Sequence, residues 1–202
     1  MSLRVIVPVV EGHGEVTALQ AILYRMADAM GHRAALRVNP PIRVKAGSFL
    51  KPGHDDFSRY VELAAAKALQ DSGLVLILLD CEDECPAQLG PSLLQRARAV
   101  RDDAAYLVVL AHREFETWFI AAAHSLCGGD GLIQGTEPPA DPEAIRNAKG
   151  WLGERMVFGY DPVIHQLALG RRFDLQQASS VASFDRFYRR LARFLEAGTV
   201  VP

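Results

Sequence analysis

Leu-Val-Leu-Ile-Leu-Leu-Asp-Cys-Glu-Asp-Glu, residues 74–84, is the most informative segment of this sequence. Six apolar residues follow one another without a break, and the segment then becomes acidic at Asp80. An uninterrupted apolar run of this length predicts a strand that is buried on both faces of a parallel sheet. Because ligands of open α/β sheets bind at the carboxyl ends of the strands, Asp80 and the acids behind it mark a candidate site.

Two other apolar segments end in the same way. Residues 3–10 are followed by Glu11-Gly12-His13-Gly14-Glu15, and residues 106–111 are followed by His112-Arg113-Glu114-Phe115-Glu116. Apolar residues at helical spacing come after each of these turns. The alternation of strands and helices through residue 126 predicts an α/β fold, in which a mostly parallel sheet has helices on both faces.

Weaker patterns complete the prediction of secondary structure. Pro40-Pro41 interrupts a strand-like run at 34–44, which predicts an edge strand or an irregular arm. Residues 46–56 are predicted to form a loop, and Pro91 is predicted to occupy the first position of the helix that follows the central strand. In the C-terminal part, helices are predicted over 143–156 and 163–168, and Ser183 is predicted to cap the last helix.

The composition of the chain changes near residue 126. Residues 127–142 are rich in Gly, Pro and Asp, so they are predicted to form a long loop. We therefore expect an α/β core over residues 1–126 and a C-terminal helical cap over residues 127–202, packed together as one compact domain. Half of the 202 residues are hydrophobic, which is enough to bury a core of this size.

The distribution of charge limits the partners that the protein can have. A net charge of −2 does not suit a protein that binds nucleic acid over its whole surface. From residue 145 onward, however, nine Lys or Arg stand against five Asp or Glu. The basic face of the last helix is therefore a candidate nucleic-acid contact, and it also fits an ordinary solvated surface helix. Its residues are Arg186, Arg189, Arg190 and Arg193.

Cysteine content and hydropathy predict a cytoplasmic protein. An odd number of cysteines, Cys81, Cys85 and Cys127, suits a reducing compartment. No segment approaches the roughly 20 apolar residues of a membrane span, so we expect no membrane contact. Cys81 and Cys85 with His13 and His112 form a weaker alternative, a zinc site, and His112 also fits a hydrogen-bonded structural role.

The carboxylates at the three strand ends predict a site for a divalent cation. Neighbouring parallel strands lie about 4.8 Å apart, so acids at adjacent carboxyl ends can share one ion. Oxygen ligands suit Mg²⁺ or Mn²⁺, and these ions polarise a phosphodiester and activate the attacking water. A nearby lysine would neutralise charge in the transition state, and Lys149 is the candidate. The alternative is that the acids only complement the dipoles of the helices that follow them.

In their order along the chain, these motifs resemble the Toprim fold, the metal-dependent domain of topoisomerases, primases and the overcoming-lysogenization-defect nucleases. More narrowly, the chain resembles an uncharacterised bacterial family, the domain of unknown function 4276. The resemblance covers residues 9–195 and includes a tail with Gln166, Asp174 and Ser183. Its main motifs are Glu11-Gly12-His13-Gly14-Glu15, Asp80-Cys81-Glu82, Glu114-Phe115-Glu116-Thr117-Trp118 and Lys149.

The resemblance implies roles for individual residues. Glu11 and Glu15 match the acidic turn of the fold, with Glu11 as a metal ligand or a general acid/base. Asp80 matches the first metal-binding aspartate, and Glu116 matches the later nuclease carboxylate. Lys149 matches the catalytic lysine.

One departure from the pattern leaves two functions open. Glu82 stands where the fold usually has aspartate, and the longer side chain shifts its carboxylate by roughly a bond length. Asp83 is a candidate substitute, and Glu114 is a further candidate ligand. The first implied function is a Mg²⁺- or Mn²⁺-dependent nuclease or phosphodiesterase, with an ATPase partner in a phage-defence or DNA-processing system.

The second implied function is that of a catalytically weak or inactive regulatory subunit, which docks on an ATPase or forms a homo-oligomer. A receiver-like domain with Asp80 as the phosphate acceptor is a third reading. Its acidic pair would be expected as adjacent residues after the first strand, whereas Glu11 and Glu15 are separated by the Gly-His-Gly turn.

Overall fold

The chain folds as one parallel sheet between two layers of helices. The computed structural model describes residues 3–51 and 55–198. Within these ranges, five strands form a single sheet in which every paired strand is parallel to its neighbour. The α/β fold with a mostly parallel sheet is therefore confirmed, and it is consistent with a Toprim-like fold. No helix in the same ranges is both long enough and apolar enough to cross a bilayer.

Strands and helices alternate in the first part of the chain, and helices make up the remainder. The first part contains β1 (Arg4–Val10), α1 (Glu15–Ala29), β2 (Leu36–Val38), β3 (Ile42–Arg43), α2 (Ala46–Phe49), α3 (Asp55–Leu69), β4 (Leu74–Asp80), α4 (Pro86–Val100) and β5 (Ala105–Ala111). The second part contains α5 (Thr117–Ala121), α6 (Ala123–Leu126), α7 (Ala148–Arg155), α8 (Pro162–Gly170), α9 (Leu175–Ala178) and α10 (Ala182–Ala197).

The order of the strands places the three acidic turns side by side. It is β2-β1-β4-β5, and β3 also pairs with β1. In the parallel register Val10 lies opposite Leu78, and Asp80 lies opposite Ala111. The turns that follow β1, β4 and β5 therefore all leave the sheet at the carboxyl ends of the strands. The buried strand predicted at 74–79 is the central one of these three.

Each face of the sheet carries its own hydrophobic core. On one face, α3 and α4 pack through residues such as Val61 and Leu93. On the other face, α1 and the helices after β5 form a second core that includes Ile22, Trp118 and Phe187. The C-terminal helices thus form the predicted cap on the α1 side of the sheet. The domain boundary at residue 126 stays a prediction.

Pro8 is accommodated in an interior strand because the neighbouring edge is interrupted beside it. Proline lacks a main-chain donor and is normally confined to edge strands or bulges. On this side of β1, the carbonyl groups of Ile6 and Val10 accept hydrogen bonds from the arm that contains β2 and β3. Pro8 lies between them, opposite the Pro40-Pro41 break, where neither short strand pairs with β1. The broken edge strand predicted at 34–44 is therefore confirmed.

Two predicted helix starts are wrong. The helix after β4 begins at Pro86, and Pro91 lies inside it. Proline is tolerated in the first turn of a helix, and the prediction chose the second of two prolines that each fit such a start. The helix predicted over 143–156 begins only at Ala148, because the Asn147 side chain accepts the Gly150 N–H and caps the helix there. A 3₁₀ turn over Pro142–Ala144 comes before it.

Two further local predictions are also wrong. Part of the segment predicted as a loop at 46–56 is the short helix α2, which is held by the buried ring of Phe49 against Phe57. Residues 52–54 of that segment lie outside the described residues. Ser183 does not cap α10, because the helix has Val181 at its N-cap position. The Ser183 hydroxyl instead accepts the indole N–H of Trp118 in the core, at 3.0 Å.

Candidate functional site

Carboxylates from all three strand ends gather at the carboxyl edge of the sheet. Burial raises the pKa of Asp80 well above its usual range, and the charges of Glu15, Glu116 and Glu11 raise it further. Burial and the charge of Glu82 likewise raise the pKa of Glu11. Carboxylates shift one another's pKa in this way only when they lie close together. We call this group the acidic cluster; it consists of Glu11, Glu15, Asp80, Glu82 and Glu116.

The turn after β1 is built around the side chain of Glu15. Glu15 is the first residue of α1 and is only 5% exposed. Its Oε2 accepts the main-chain N–H of Glu11 at 3.2 Å. Burial, with the charges of Glu116 and Glu11, raises the pKa of Glu15 to about 7, although main-chain hydrogen bonds from the turn oppose the rise.

The two glycines of this turn are required by close packing. A Cβ atom on Gly12 would lie 2.6 Å from Oε1 of Glu15. On Gly14 it would lie 2.2 Å from both the carbonyl oxygen of Pro162 and Oε1 of Gln166 in α8. The Gly-His-Gly sequence therefore lets the turn fold over Glu15 and lets α8 rest directly on it.

The turn after β4 is joined to the turn after β5. Oδ1 of Asp80 accepts the N–H of Phe115 at 2.7 Å, which fixes the aspartate between the two strand ends. The Glu82 N–H donates to the carbonyl oxygen of Arg113, and the Arg113 N–H donates to Sγ of Cys81. Glu82 and Arg113 have φ angles of 45° and 63°, in the left-handed region. Such residues typically cost on the order of 1 kcal/mol or more, and here the paired turns hold them in place.

Glu116 is the most deeply buried member of the acidic cluster. It is 0% exposed. Its Oε1 accepts hydrogen bonds from the Tyr160 hydroxyl at 2.9 Å and from Nε2 of Gln166 at 2.8 Å. Its Oε2 is buried and accepts no hydrogen bond in the described part of the chain. Two residues of the C-terminal helical part thus orient a carboxylate that follows β5, and one of its oxygens stays available for a cation.

Lys149 is the cation that faces the cluster in this structure. Its Nζ lies 2.7 Å from Oε2 of Glu114, 3.2 Å from Oε2 of Glu116 and 3.9 Å from Oδ2 of Asp80. Burial lowers the pKa of Lys149, but the surrounding carboxylates raise it more, so the ammonium stays charged. Oε1 of Glu114 also accepts the N–H of Ala148 at 2.7 Å. Glu114 therefore ties the start of α7 to the β5 turn and positions Lys149.

Asp83 does not join the acidic cluster. Its carboxylate lies 2.6 Å from Nη1 of Arg113 and 3.1 Å from Nη1 of Arg146. The hydrogen bond from Arg113 and the charge of Arg146 lower the pKa of Asp83. The side chain is thereby held outward by two arginines, so the structure gives no support to Asp83 as the substitute for Glu82. His112 has a structural hydrogen bond, with Nδ1 3.2 Å from the carbonyl oxygen of Glu143.

The donor atoms of the cluster suit a hard cation, but they do not converge on one point here. In residues 3–51 and 55–198, no group of three or more His, Cys, Asp or Glu side chains is arranged to hold a metal ion. This also leaves the zinc alternative at Cys81 and Cys85 without support. The cluster supplies carboxylate oxygens, and the buried Oε2 of Glu116 is paired with the Lys149 ammonium, the position that a metal ion would take over. These features fit Mg²⁺ or Mn²⁺, provided that side chains rotate toward a shared ion.

The basic face of α10 extends away from the acidic cluster. The N-terminal end of α10 contacts Trp118 through Ser183, whereas the carbonyl oxygen of Leu195 near its other end accepts Nε of Arg4 at the start of β1. The helix therefore runs from the carboxyl ends of the strands, where the site lies, to their amino ends. Nucleic-acid contact by Arg186, Arg189, Arg190 and Arg193 stays a prediction.

Other basic residues lie nearer to the acids. Arg43 pairs in register with Val10, the residue before Glu11, and Lys45 follows it at the surface. Arg146 lies on the other side, where it is exposed beside Asp83. Sequence reasoning missed these residues as a group because their closeness to the acids depends on β3 pairing and on the Asp83 contact. It also missed Tyr160, for which the sequence holds no signal, and it assigned no role to Gln166.

Fold and site together define an α/β protein with an acid-rich, lysine-containing site at the carboxyl ends of three parallel strands. The chain belongs to the family described as Domain of unknown function (DUF4276), which matches residues 10–192. All members of the acidic cluster and Lys149 lie within the matched range. Comparisons with the curated proteins and with the solved structures give no match.

Proposed function

We propose that the protein is a Toprim-type nuclease or phosphodiesterase that depends on Mg²⁺ or Mn²⁺. The observation that supports this most directly is the meeting of acids from three neighbouring strand ends beside one lysine. Carboxylates that raise one another's pKa in a buried place are stabilised by a bound cation. The same lysine lies 3.2 Å from the buried Oε2 of Glu116, which accepts no hydrogen bond in the described residues, so this oxygen is paired with a cation already and could be paired with a metal ion instead.

Four residues would hold the cation: Glu11, Asp80, Glu82 and Glu116. When bound, the ion would polarise the phosphodiester and lower the pKa of the attacking water. The hydrogen bonds from Tyr160 and Gln166 keep Oε1 of Glu116 occupied and leave its Oε2 directed toward the cluster.

The remaining groups have roles in proton transfer and in charge neutralisation. If Glu11 does not ligate the cation, this half-buried carboxylate would instead act as the general base that accepts the proton of the attacking water. Glu15 orients that residue by accepting its main-chain N–H. Lys149 would move from its carboxylate partners to the phosphoryl oxygens and stabilise the charge that develops there.

The basic residues that border the acidic cluster fit a nucleic-acid strand of several nucleotides as the substrate. Arg43 and Lys45 border the acids on the β1 side, and Arg146 borders them on the β5 side. Cations on both sides attract successive phosphates of a nucleic-acid strand across the site. By resemblance to its family, the protein would act with an ATPase partner in a phage-defence or DNA-processing system.

A plasmid-cleavage assay with Mn²⁺ or Mg²⁺ tests the proposal. We expect Asp80→Asn and Glu11→Gln to lose at least about a hundredfold in rate, since each removes a cation ligand or a base. Glu84→Gln is the matched control, because Glu84 lies exposed in the same turn outside the cluster. Cleavage that persists equally in Asp80→Asn would reject these roles.

A binding subunit without catalysis is the second candidate. It is favoured by the three ion pairs of Lys149, which already compensate Asp80, Glu114 and Glu116. Isothermal titration with Mn²⁺ separates the two candidates. Binding that is lost in Asp80→Asn supports the enzyme, whereas no heat of binding in the wild-type protein supports the subunit.

A further inference from the structure

One lateral edge of the sheet borders a groove that is separate from the acidic cluster. Among residues 3–51 and 55–198, β5 is the last strand in the sheet order, and only its side toward β4 is paired. A groove of about 350 Å³ runs along the other side, between α4 and α10. Because consecutive residues of β5 line this groove, its floor is the main chain of the strand rather than one face of it.

The outward-facing main-chain groups of β5 can be assigned from two hydrogen bonds. The carbonyl oxygen of Ala111 accepts the N–H of Cys81, so Ala111 faces β4. The carbonyl oxygen of Val108 accepts Nη1 of Arg190 at 3.4 Å, so Val108 faces the groove. Successive residues of a strand direct their main-chain N–H and C=O groups to opposite sides. Tyr106 and Leu110 lie two residues from Val108, so their main-chain groups also point into the groove.

This edge is a template for another strand. In the described residues, these outward groups take part in one hydrogen bond, from Arg190 to Val108. Unpaired edge groups readily pair with another chain unless a charged side chain protects them. Arg190 provides such protection at the middle of the edge, and the groups on either side of it are left free.

The two walls of the groove differ in chemistry. The α4 wall is apolar and offers Gly90, Pro91 and Leu94. The α10 wall carries Arg186 and Arg190, and the described part of the chain contributes no Asp or Glu to the lining of the groove. Side chains of an added strand would alternate between these two walls.

We propose that the groove binds an extended acidic segment of a partner protein, which adds to β5 as a further strand. Its apolar residues face α4, and its Asp or Glu residues, at alternate positions, pair with Arg186 and Arg190. The main-chain bonds give affinity, and the alternation gives specificity. A second copy of this chain fits less well, because edge-to-edge pairing of two β5 strands would bring the arginines of both copies together without acids between them.

Fluorescence anisotropy with the full chain tests this proposal directly. The probe is a fluorescein-labelled octapeptide of alternating Glu and Val, and we expect saturable binding. Arg186→Glu should weaken binding at least about tenfold, since it replaces an attraction by a repulsion. Arg189→Glu is the matched control on the same helix, because Arg189 pairs with Asp185 and does not line the groove; its affinity should stay within about twofold of the wild type.

A second variant fills the groove without altering its charge. Among the described atoms, a Cβ on Gly90 would meet Cδ1 of Leu110 alone, at 3.8 Å, so Gly90→Leu should fold and occupy the space of the added strand. We expect it to abolish peptide binding. Two altered peptides complete the test: alternating Lys and Val, and alternating Glu and Val with N-methyl groups on every second residue. Neither should bind, because one reverses the charge and the other lacks the strand donors.

Three outcomes would overturn the proposal. The first is that the Glu-Val peptide fails to bind or binds Gly90→Leu equally well. The second is that the protein dimerises in sedimentation velocity and that Gly90→Leu separates the dimer, which would assign the groove to a second copy. The third is that a labelled oligothymidylate binds and is weakened equally by Arg186→Glu and Arg189→Glu, which would assign the whole basic face of α10 to nucleic acid. None of these results depends on the acidic cluster.

Discussion

Replacing Glu15 by Gln should change how the stability of the protein depends on pH. Glu15 is buried at the start of α1, and its pKa rises from an ordinary 4.5 to about 7 in the folded chain. Between these values the folded protein holds a proton that the unfolded chain has released. Glutamine has no such proton and can still accept the Glu11 N–H through its amide oxygen.

The sign and size of the effect follow from this difference. The stability that Glu15 contributes is fully present below its unfolded pKa of 4.5 and is lost as the pH rises through 7. At 1.36 kcal/mol for each pKa unit, the full loss is about 3 kcal/mol. About 2.5 kcal/mol of it falls between pH 5 and pH 8. Between pH 5 and pH 8, the unfolding free energy of Glu15→Gln should therefore rise by about 2.5 kcal/mol relative to that of the wild type.

Urea unfolding followed by tryptophan fluorescence, at pH 5 and at pH 8, measures the effect. The quantity to compare is the difference in unfolding free energy between wild type and Glu15→Gln at each pH. The charge of Glu15 also raises the pKa of Asp80, so the change in that difference with pH reports Glu15 together with the carboxylates coupled to it. A difference that is the same at both pH values would refute the assignment of a raised pKa to Glu15.

Three further substitutions should destabilise the protein for separate reasons, each measurable by urea unfolding. Gly14→Ala places a Cβ atom 2.2 Å from a main-chain oxygen of α8, and forcing α8 away should cost about 1–3 kcal/mol. Tyr160→Phe removes one of the two donors to buried Glu116, with an expected loss of about 1.5–3 kcal/mol. Ser183→Ala leaves the indole N–H of Trp118 unpaired in the core, with an expected loss of about 1–3 kcal/mol.

Each of these substitutions has a matched control in the chain. Gly47→Ala lies in α2, where no atom of residues 3–51 and 55–198 comes within 4 Å of the added Cβ, so it should be neutral or slightly stabilising. Tyr106→Phe removes a buried hydroxyl that has no hydrogen-bond partner in the described residues, so it should not destabilise. Ser180→Ala changes an exposed serine just before α10. A control that loses as much stability as its test variant would contradict the corresponding explanation.

The sheet could be predicted from the sequence because its signals are local. Strands that are buried on both faces need continuous apolar runs, and residues 74–79 form such a run whatever lies around them. The parallel direction of the strands then forces their carboxyl ends to one edge. That Glu11, Asp80 and Glu116 are neighbours there depends also on the strand order β1-β4-β5, which the structure supplies.

The details of the site could not be predicted, because they depend on contacts between distant segments. The sequence predicts Asp83 as part of the acidic group because it follows Glu82 directly. In the structure, Asp83 pairs with Arg146, which comes from beyond the long loop. Tyr160 and Gln166 reach Glu116 only because α8 packs on α1, and no periodic pattern encodes that contact. Pro91 misled for a different reason: two nearby prolines are compatible with a helix start, and the chain uses the earlier one.

The donors of Glu116 have a consequence for any attempt to divide this chain. Tyr160 and Gln166 both come from beyond residue 126, yet they satisfy a carboxylate that sits against the sheet. A fragment ending at Leu126 would retain all the described strands but would lose both hydrogen-bond donors of that carboxylate. Residues 1–126 therefore do not hold the complete site, and grafting the site onto another scaffold would require the C-terminal helices as well.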